Sequence, residues 1–248
     1  MSQNELAGAA ALVTGASRGL GRGIVTALSA AGAQVVGVAR DRGALDELRA
    51  ELGGSFTAVS ADAADPYVAG QLIDAWRPAI LVLNAGATPL PRSIQHHTWQ
   101  TFSRNWDVDV AHAFHWTREA LLAPLAPGST VIALSSGAAV FGSPLSGGYA
   151  GAKAAIRFLT AYAAEESRRD GLSIRFVSLL PQLTSATQLG AVFAAAYAAR
   201  EGAGAAARTS GPPLTPEQAG QAITELITSP GYDQDAYLLT TAGLRPLP

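Results

Sequence analysis

The sequence contains no cysteine, only one lysine, and little charge for its length. Without cysteine the chain cannot form disulfide bonds or bind zinc through thiolates, and it suits a reducing compartment, so we expect it in the cytoplasm. Charged residues make up 15% of the chain and the formal net charge is -2. No basic surface for nucleic acid or an anionic membrane is therefore expected, and a small molecule is the expected partner.

Long apolar runs are also missing from the sequence. No stretch stays apolar over the length that a bilayer requires, and residues 1–8 lack the charged and apolar regions of a signal peptide. We therefore expect a soluble protein. Hydrophobic residues make up 48% of a chain of 248, which suffices for an ample core, so we expect one domain over 1–248.

Short apolar runs alternate along the chain with longer segments of helical periodicity. Because parallel strands are buried on both faces, nearly continuous runs such as Val35-Val36-Gly37-Val38 are typical of them. The pattern predicts an α/β fold, a single doubly wound (Rossmann-type) parallel sheet of about seven strands with helices on both faces. The predicted strands are 9–14, 34–39, 56–60, 80–83, 130–134, 174–180 and 236–240. The predicted helices are 19–31, 44–52, 64–76, 99–122, 148–169 and 215–228. The last opens with Thr215 and Gln218, which are placed to form a capping box.

An alanine-rich segment, 191–207, ends shortly before Gly211-Pro212-Pro213. It could be a flexible linker, but apolar residues recur in and before it at helical spacing, which favours a helix with one apolar face. We interpret 184–211 as a lid over a pocket, and the alternative is a helix with a purely structural role. The residues at helical spacing are Leu189, Val192, Phe193, Ala196 and Tyr197.

The only lysine, Lys153, follows Tyr149 by four residues. On a helix this spacing puts both side chains on one face, where the ammonium group favours the ionised form of the phenol. Arginine cannot be tuned in this way, because its guanidinium stays charged at any useful pH. The pair therefore predicts a proton donor, and with it an enzyme.

A glycine-rich turn follows the first predicted strand and opens the first predicted helix. Glycine lets the backbone approach a pyrophosphate, and the helix N-terminus supplies amide donors and the positive end of a dipole. The position in a strand-turn-helix unit predicts a dinucleotide site. Its residues are Gly15, Ser17, Arg18, Gly19, Leu20 and Gly21.

The end of the second predicted strand indicates which nucleotide binds. An NAD site carries a carboxylate there for the ribose hydroxyls, but the residues here are Ala39 and Arg40. Arg40 and Arg18 could instead bracket a 2′-phosphate through paired hydrogen bonds, which favours NADP(H). The alternative is that both arginines are solvated surface charges.

With these motifs in order, the chain resembles the short-chain dehydrogenase/reductase family over essentially its whole length. The matching segments are 14–21, Asp62, Asn84-Ala85-Gly86, Ser135-Ser136 and 149–153, and Ser136 precedes Tyr149 by thirteen residues as in that family. The resemblance implies that Ser136 hydrogen-bonds the substrate oxygen, Tyr149 exchanges its proton, and Lys153 polarises the tyrosine and holds the nicotinamide ribose. It also implies cofactor contacts from Asp62, Ala63, Asn84, Ala85, Gly86, Tyr149, Lys153, Pro181 and Gln182.

Two residues depart from the family pattern. Asp109 stands where the family usually has an asparagine that takes part in a proton relay behind the lysine, and Asn105 lies a turn too early for that role. Asp109 either acts in such a relay as a catalytic residue or pairs with a nearby base or helix backbone. The second departure is Pro181-Gln182, where the family often has Pro-Gly close to the nicotinamide; Gln182 would either contact the carboxamide or crowd the site.

The expected function is an NADPH-dependent carbonyl reductase, reversible as an alcohol dehydrogenase, acting on a small hydrophobic ketone or alcohol. The alternatives are another nucleotide-assisted reaction, such as epimerisation or dehydration, and a noncatalytic NADP(H)-binding sensor or scaffold. The resemblance also implies a homodimer or homotetramer, and we expect no metal site from the four histidines. Candidate pocket residues are Val140, Phe141, Leu145, Leu189 and Phe193.

Overall fold

A computed structural model describes residues 5–201 and 212–247, and in it eight strands form one sheet. The strand order is β3-β2-β1-β4-β5-β6-β7-β8. The first seven strands are parallel, and β8 pairs antiparallel with β7. The strands are β1 (Ala10–Thr14), β2 (Gln34–Ala39), β3 (Phe56–Ser60), β4 (Ile80–Leu83), β5 (Thr130–Leu134), β6 (Arg175–Pro181), β7 (Ala236–Thr240) and β8 (Gly243–Pro246).

Helices cover both faces of the sheet, and one of them is interrupted by a π-helical turn, Trp106–Val110. The helices are α1 (Gly19–Ala30), α2 (Arg42–Leu52), α3 (Pro66–Trp76), α4 (Trp99–Asn105), α5 (Ala111–Leu122), α6 (Ala138–Phe141), α7 (Gly147–Arg169), α8 (Gln188–Glu201) and α9 (Pro216–Thr228). The capping box expected at Thr215 and Gln218 opens α9.

The hydrophobic core has two parts, one on each face of the sheet. Alternate residues of a strand point to opposite faces, so Ala11 and Val13 of β1 join one part while Leu12 joins the other. The first part is covered by α1, α2 and α9, and the second by α3, α5 and α7. The predicted doubly wound α/β fold is thereby confirmed.

Several local features differ from the sequence-based expectation. The eighth strand was not predicted because it is only four residues long and half-exposed at the sheet edge, where Arg245 and Pro246 are typical. The predicted continuous helix 99–122 is split into α4 and α5 by the π-helical turn. The predicted helix within 191–207 begins earlier, as α8, and residues 202–211 of the interpreted lid lie outside the described residues.

The strand order places a crevice at the carboxyl end of β1. The chain runs from β1 outward to β2 and β3, and then returns to the other side of β1 to form β4. In open α/β sheets, ligands bind where the strand order reverses in this way. Thr14 ends β1, and Gly15 and Asn84 directly follow β1 and β4, so all three residues lie at this crevice.

Candidate active site

The glycine turn after β1 adopts a conformation that side chains would prevent. Gly15 and Gly19 have φ values of 66° and 53°, in the left-handed region that favours glycine. A Cβ on Gly15 would lie 2.8 Å from Asn84 Nδ2, and one on Gly21 would lie 2.1 Å from the Gly15 carbonyl oxygen. A Cβ on Gly19 would meet only Thr187, at 3.7 Å. The tightly wound turn at the N-terminus of α1 therefore fits the pyrophosphate of a dinucleotide.

Thr14 and Asn84 tie the ends of β1 and β4 together. The Asn84 side-chain amide donates to the carbonyls of Thr14 at 3.0 Å and Gly15 at 3.1 Å. In return, Thr14 Oγ1 accepts from the backbone amides of Asn84 at 3.0 Å and Ala85 at 3.2 Å. The segment expected to form the wall of the cofactor site is thus fixed against the glycine turn.

The residues expected around the adenosine lie at the carboxyl ends of β2 and β3. Arg40 is exposed, and its Nη1 lies 4.0 Å from Asp62 Oδ2, a separation at which an exposed ion pair contributes little. Asp62 Oδ1 accepts from the Ala64 amide at 3.0 Å. Trp116 Nε1 donates to the Ala63 carbonyl at 2.8 Å, which holds this loop against α5.

Lys153 lies buried beside Tyr149 on α7, as the four-residue spacing predicts. Its Nζ lies 5.6 Å from the centre of the Tyr149 ring and donates to the Leu134 carbonyl at 3.0 Å. The same Nζ lies 3.3 Å from Asp109 Oδ2, and the two side chains are only 7% and 1% exposed. The ammonium group is therefore held at the end of β5 by a carbonyl and a buried carboxylate.

The π-helical turn brings Asp109 to this position. Asp109 Oδ1 accepts from the Ala87 amide at 2.7 Å and from Asn105 Nδ2 at 3.3 Å, and Asn105 Nδ2 also donates to the Ala87 carbonyl at 2.9 Å. Asp109 Oδ2 faces Lys153. Both carboxylate oxygens thus face donors, a requirement that an asparagine cannot meet because one of its two terminal atoms is itself a donor. The role of Asn105 as a partner of Asp109 was missed, although their spacing of four is a signal for it.

Ser136 and Gln182 follow neighbouring strands, β5 and β6. The Gly137 amide donates to the Pro181 carbonyl at 3.0 Å, and the Gln182 amide donates to the Leu239 carbonyl at 2.9 Å. Ser136 is half-buried, two residues beyond the carbonyl that holds Lys153, and its Oγ accepts from the Ala138 amide at 3.2 Å. Both residues therefore lie at the carboxyl edge of the sheet that also carries the lysine.

Helix α8 lies against α7, the helix that carries Tyr149 and Lys153. The ring of Phe193 stacks on that of Tyr149, with centroids 6.4 Å apart and an interplanar angle of 29°, and Phe193 also contacts Tyr197. The Tyr197 hydroxyl is hydrogen-bonded to Ser143 Oγ in the turn before α7, and Arg200 donates to a carbonyl in that turn at 3.3 Å. At the other end of α8, Arg18 donates to Gln188 Oε1 at 3.4 Å.

The candidate pocket residues divide into two groups. Leu145 and Phe193 are buried, Leu189 is half-buried, and Val140 and Phe141 are exposed. Leu145, Leu189 and Phe193 thus form the group that packs into the structure beside α7 and α8, and Val140 and Phe141 form the exposed group. Val140 and Phe141 lie on the short helix α6, which was not predicted. Without that helix, the sequence did not distinguish these two exposed residues from the buried ones.

His112 is a buried residue with a contact to the glycine turn that the sequence does not indicate. Its Nε2 lies 3.0 Å from Thr14 Oγ1. Burial lowers its pKa to about 3, with smaller contributions from the nearby charges of Lys153 and His115. The imidazole is therefore neutral at physiological pH.

A metal site needs several ligating side chains close together, and a membrane span needs a long apolar helix. Over 5–201 and 212–247, no group of three or more His, Asp or Glu side chains could hold a metal ion. Within the same residues, no helix is both long and apolar enough to cross a bilayer.

Comparison with known proteins identifies the family. A model of the short chain dehydrogenase family matches residues 9–197. L-xylulose reductase from Bos taurus is 35% identical over 164 residues, 65% of this chain and 66% of that protein. Fluoren-9-ol dehydrogenase from Terrabacter sp. is 32% identical over 217 residues, 75% of this chain and 58% of that protein. The chain thus spans less than two thirds of the length of both relatives.

A solved structure supports the same assignment. The crystal structure of a 3-ketoacyl-(acyl-carrier-protein) reductase from Brucella melitensis complexed with NADH matches with a TM-score of 0.75 and 26% sequence identity, covering 92% of this chain and 93% of that one. The family model covers well over half of the chain, and the fold and the crevice at β1 and β4 agree with it. The protein belongs to the short-chain dehydrogenase/reductase family of oxidoreductases.

Proposed function

We propose that the protein is an NADPH-dependent carbonyl reductase, reversible as an alcohol dehydrogenase, acting on a small hydrophobic ketone or alcohol. The observation that carries this proposal is the buried ammonium group of Lys153, 5.6 Å from the Tyr149 ring. A buried amine beside a phenol serves proton transfer, which carbonyl reduction needs because negative charge develops on the substrate oxygen.

The roles of the three catalytic candidates follow from this chemistry. A bound nicotinamide nucleotide supplies the hydride for reduction or accepts it in oxidation. Tyr149 donates its hydroxyl proton to the substrate oxygen, and the hydroxyl of Ser136 orients that oxygen through a hydrogen bond. Lys153 stabilises the phenolate that remains on Tyr149.

The nucleotide would be held by the crevice at the ends of the first four strands of the sheet. Its glycine turn fits a pyrophosphate, and the fixed segment after β4 would form a wall beside the nicotinamide ribose. The residues assigned to this role are Gly15, Ser17, Arg18, Gly19, Leu20, Gly21, Arg40, Asp62, Ala63, Asn84, Ala85, Gly86, Tyr149, Lys153, Pro181 and Gln182. The Brucella reductase was solved with NADH, so that structure gives no support for NADPH. Our proposal of NADPH for this protein rests on the residues at the end of β2, Ala39 and Arg40.

Replacing Arg40 with Asp should reverse the nucleotide preference. Arg40 is exposed at the end of β2, where Ala39 provides no carboxylate for the ribose hydroxyls. A carboxylate would repel the 2′-phosphate, so we expect the ratio of NADPH to NADH affinity to fall by roughly tenfold or more. The measurement is nucleotide titration of both proteins. Arg42→Asp, which makes the same charge change two residues later, is the matched control, and an unchanged ratio in Arg40→Asp would refute the assignment.

The side chains around Tyr149 support a hydrophobic substrate. Phe193 stacks on the tyrosine ring, Tyr197 extends the aromatic row along α8, and Leu145 is buried in the turn before α7. The Terrabacter relative is named for an aromatic alcohol, fluoren-9-ol. We propose that residues 184–201, the described part of the lid segment, cover this pocket and that a substrate binds between them and Tyr149.

Two other functions are alternatives, and the first of them has specific features in its favour. Asp109 and Gln182 depart from the family pattern, which would suit a different nucleotide-assisted reaction such as epimerisation or dehydration. A sensor or scaffold would need the nucleotide site alone. The arrangement of Tyr149 and Lys153 favours the reductase over the sensor, because nucleotide binding without turnover requires no proton donor.

A substrate panel tests the proposed function. Ketones, aldehydes and alcohols of increasing apolar size would be incubated with NADPH or NADP⁺ while the nicotinamide absorbance is followed. We expect turnover that Tyr149→Phe abolishes while nucleotide binding persists, because the ring remains and only the hydroxyl group that donates the proton is lost. Tyr197→Phe is the matched control, since it removes a hydroxyl from the lid. Nucleotide binding without turnover of any compound would support the sensor instead.

We also propose that the chain acts in the cytoplasm as a homodimer or homotetramer. The absence of cysteine suits a reducing compartment. An exposed apolar groove between α5 and α7 supports self-association, and its occupant would be a second copy of the chain. Cell fractionation tests the location, and recovery of the protein outside the cytoplasmic fraction would contradict it.

A further inference from the structure

His112 is a buried ionisable residue that the proton-transfer chemistry does not use. It lies on α5 and is 1% exposed, yet it contacts the start of the glycine turn through Thr14. Its position one turn after Asp109 is unexplained by packing alone, because an apolar side chain would fill the same space. The hydrogen bonds of Thr14 explain why an imidazole lies there.

The Thr14 hydroxyl has two acceptors within reach for the hydrogen bond that it donates. Oγ1 has two lone pairs, and it accepts from the amides of Asn84 at 3.0 Å and Ala85 at 3.2 Å. The hydroxyl proton can then go to His112 Nε2 at 3.0 Å or to the Val82 carbonyl at 3.3 Å. Because the imidazole is neutral, Nε2 can act as the acceptor, with the ring proton on Nδ1. Because the contact with His112 is the shorter of the two, we assign the hydrogen bond donated by the Thr14 hydroxyl to His112 Nε2.

One helical segment therefore reaches two parts of the site. Asp109 and His112 are three residues apart across the junction of the π-helical turn with α5, so they project from the same side of the segment. Asp109 contacts Lys153, and His112 contacts Thr14. The position of this segment fixes the proton-transfer pair and the nucleotide wall relative to each other.

We propose that His112 is a positioning residue for the nicotinamide nucleotide. By accepting the hydrogen bond that the Thr14 hydroxyl donates, His112 orients the lone pairs of Thr14 toward the amides of Asn84 and Ala85 and so fixes the wall after β4 against the glycine turn. This role rests on the proposed function, since it requires that the nucleotide binds in the crevice at β1 and β4. His112 acts through Thr14 and needs no contact with substrate.

Substitutions that keep or remove the acceptor test the proposal. His112→Gln places an amide oxygen near the position of Nε2, whereas His112→Leu fills the space without an acceptor. We expect His112→Leu to weaken NADPH binding by roughly tenfold, the effect of one buried hydrogen bond, and His112→Gln to stay within about threefold of the wild type. Binding is measured by quenching of protein fluorescence. The KM for the nucleotide should rise with less change in kcat.

Further variants separate positioning from a general loss of stability. In a Thr14→Val background, where the donor is absent, His112→Leu should weaken binding no further. Ser167→Ala removes a buried hydroxyl that bonds to Ile174 at the far end of α7, so it should lower stability and leave binding unchanged. Should His112→Leu fail to fold, His112→Asn replaces it, because the asparagine amide is too short to reach Thr14.

The outcomes distinguish this proposal from the function on which it rests. Wild-type affinity in His112→Leu, or in His112→Asn where that variant replaces it, would overturn the positioning role while the proposed function stands. Equal losses in His112→Gln and the variant without an acceptor would overturn it as well. If the wild-type protein bound neither NADPH nor NADH, the proposed function would fail first, and the positioning role with it.

Discussion

The charge beside Lys153 distinguishes this site at the scale of single residues. An amide at position 109 would leave the ammonium as a net positive charge, whereas Asp109 forms a buried ion pair with it. Removing one member of such a pair is costly, because the other charge stays buried without compensation. The ammonium therefore acts on Tyr149 while partly neutralised.

Asp109→Asn should change both the stability and the pH dependence of the enzyme. The variant leaves Lys153 as an uncompensated buried cation, so we expect a loss of about 3 kcal/mol in the free energy of unfolding. The unopposed positive charge also favours the phenolate form of Tyr149, so the pH–rate profile for alcohol oxidation should move toward lower pH. Asp74→Asn on α3 is the matched control, because Asp74 is an exposed aspartate outside the site and the groove. A profile identical to the wild type would rule out a relay role for Asp109.

His112 should make the folded state sensitive to acid. Its pKa is about 3 in the folded protein against an ordinary value of 6.5, so between these values the unfolded chain binds a proton that the folded chain does not. The free energy of unfolding therefore falls as the pH decreases from 6.5 toward 3, by up to about 1.4 kcal/mol per pH unit. His112→Gln lacks this contribution, so its melting temperature should fall less than that of the wild type between pH 7 and pH 5. If the melting temperatures of the two proteins fell equally between pH 7 and pH 5, the prediction would be wrong.

The site residues that could be predicted are those whose spacing lies within one element. The four residues between Tyr149 and Lys153 indicate a shared helix face, and the glycine turn follows directly from its position after β1. The contact between Thr14 and His112 joins residues 98 positions apart, so no local pattern reveals it. Asp109 could be located only through the resemblance, since the π-helical turn that orients it has no sequence signal.

At the scale of elements, α1 and α9 approach each other closely through two glycines. A Cβ on Gly23 would lie 2.1 Å from the Pro216 carbonyl oxygen, and one on Gly220 would lie 2.3 Å from the Gly23 carbonyl oxygen. The two backbones are therefore in contact, and neither helix can move away without opening the core beneath them. Because α1 begins at the glycine turn, α9 also supports the nucleotide site.

Gly220→Ala should destabilise the protein although alanine favours a helix. The added methyl group would clash with backbone atoms of α1, which cannot rotate away as a side chain would, so we expect a loss of about 1–3 kcal/mol. Gly43→Ala is the matched control, because Gly43 lies on α2 and the nearest atom to its Cβ is a side-chain oxygen at 3.6 Å. That variant should be neutral or slightly stabilising. The measurement is the melting temperature of each variant by thermal unfolding. Equal melting temperatures for Gly220→Ala and Gly43→Ala would contradict the backbone contact between α1 and α9.

Element types were easier to predict than their interruptions. Alternation of apolar runs with helical periods indicated seven strands correctly, and the capping box marked the start of α9. The short helix α6 and the strand β8 are too short for a period to appear. The split between α4 and α5 depends on contacts of Asn105 and Asp109 with the segment after β4, which lie outside the helix itself.

At the scale of the whole molecule, an apolar surface remains uncovered. The groove between α5 and α7 includes Trp106, Phe114 and Phe158, which are 40%, 46% and 74% exposed. Large aromatic side chains grouped in this way are typical of surfaces that become buried on association. This groove is the surface that we assign to self-association.

Phe158→Glu should shift the protein to a lower mass in solution. A carboxylate in the lining of the groove would have to be buried without a partner if two copies associated there. Light scattering coupled to size-exclusion chromatography should give at least a dimer for the wild type and a smaller species for the variant. Tyr67→Glu, on the exposed face of α3, is the control and should leave the mass unchanged. A monomeric wild type would remove the proposed interface.

The contact between α1 and α9 has a consequence for synthesis. During translation α1 emerges early, yet the helix that covers it leaves the ribosome almost two hundred residues later. Until then the side of α1 that packs against α9 through Gly23 and Ala27 has no native cover in the nascent chain. Completion of the core therefore has to wait for the last part of the polypeptide, and a chaperone that shields α1 would act in that interval.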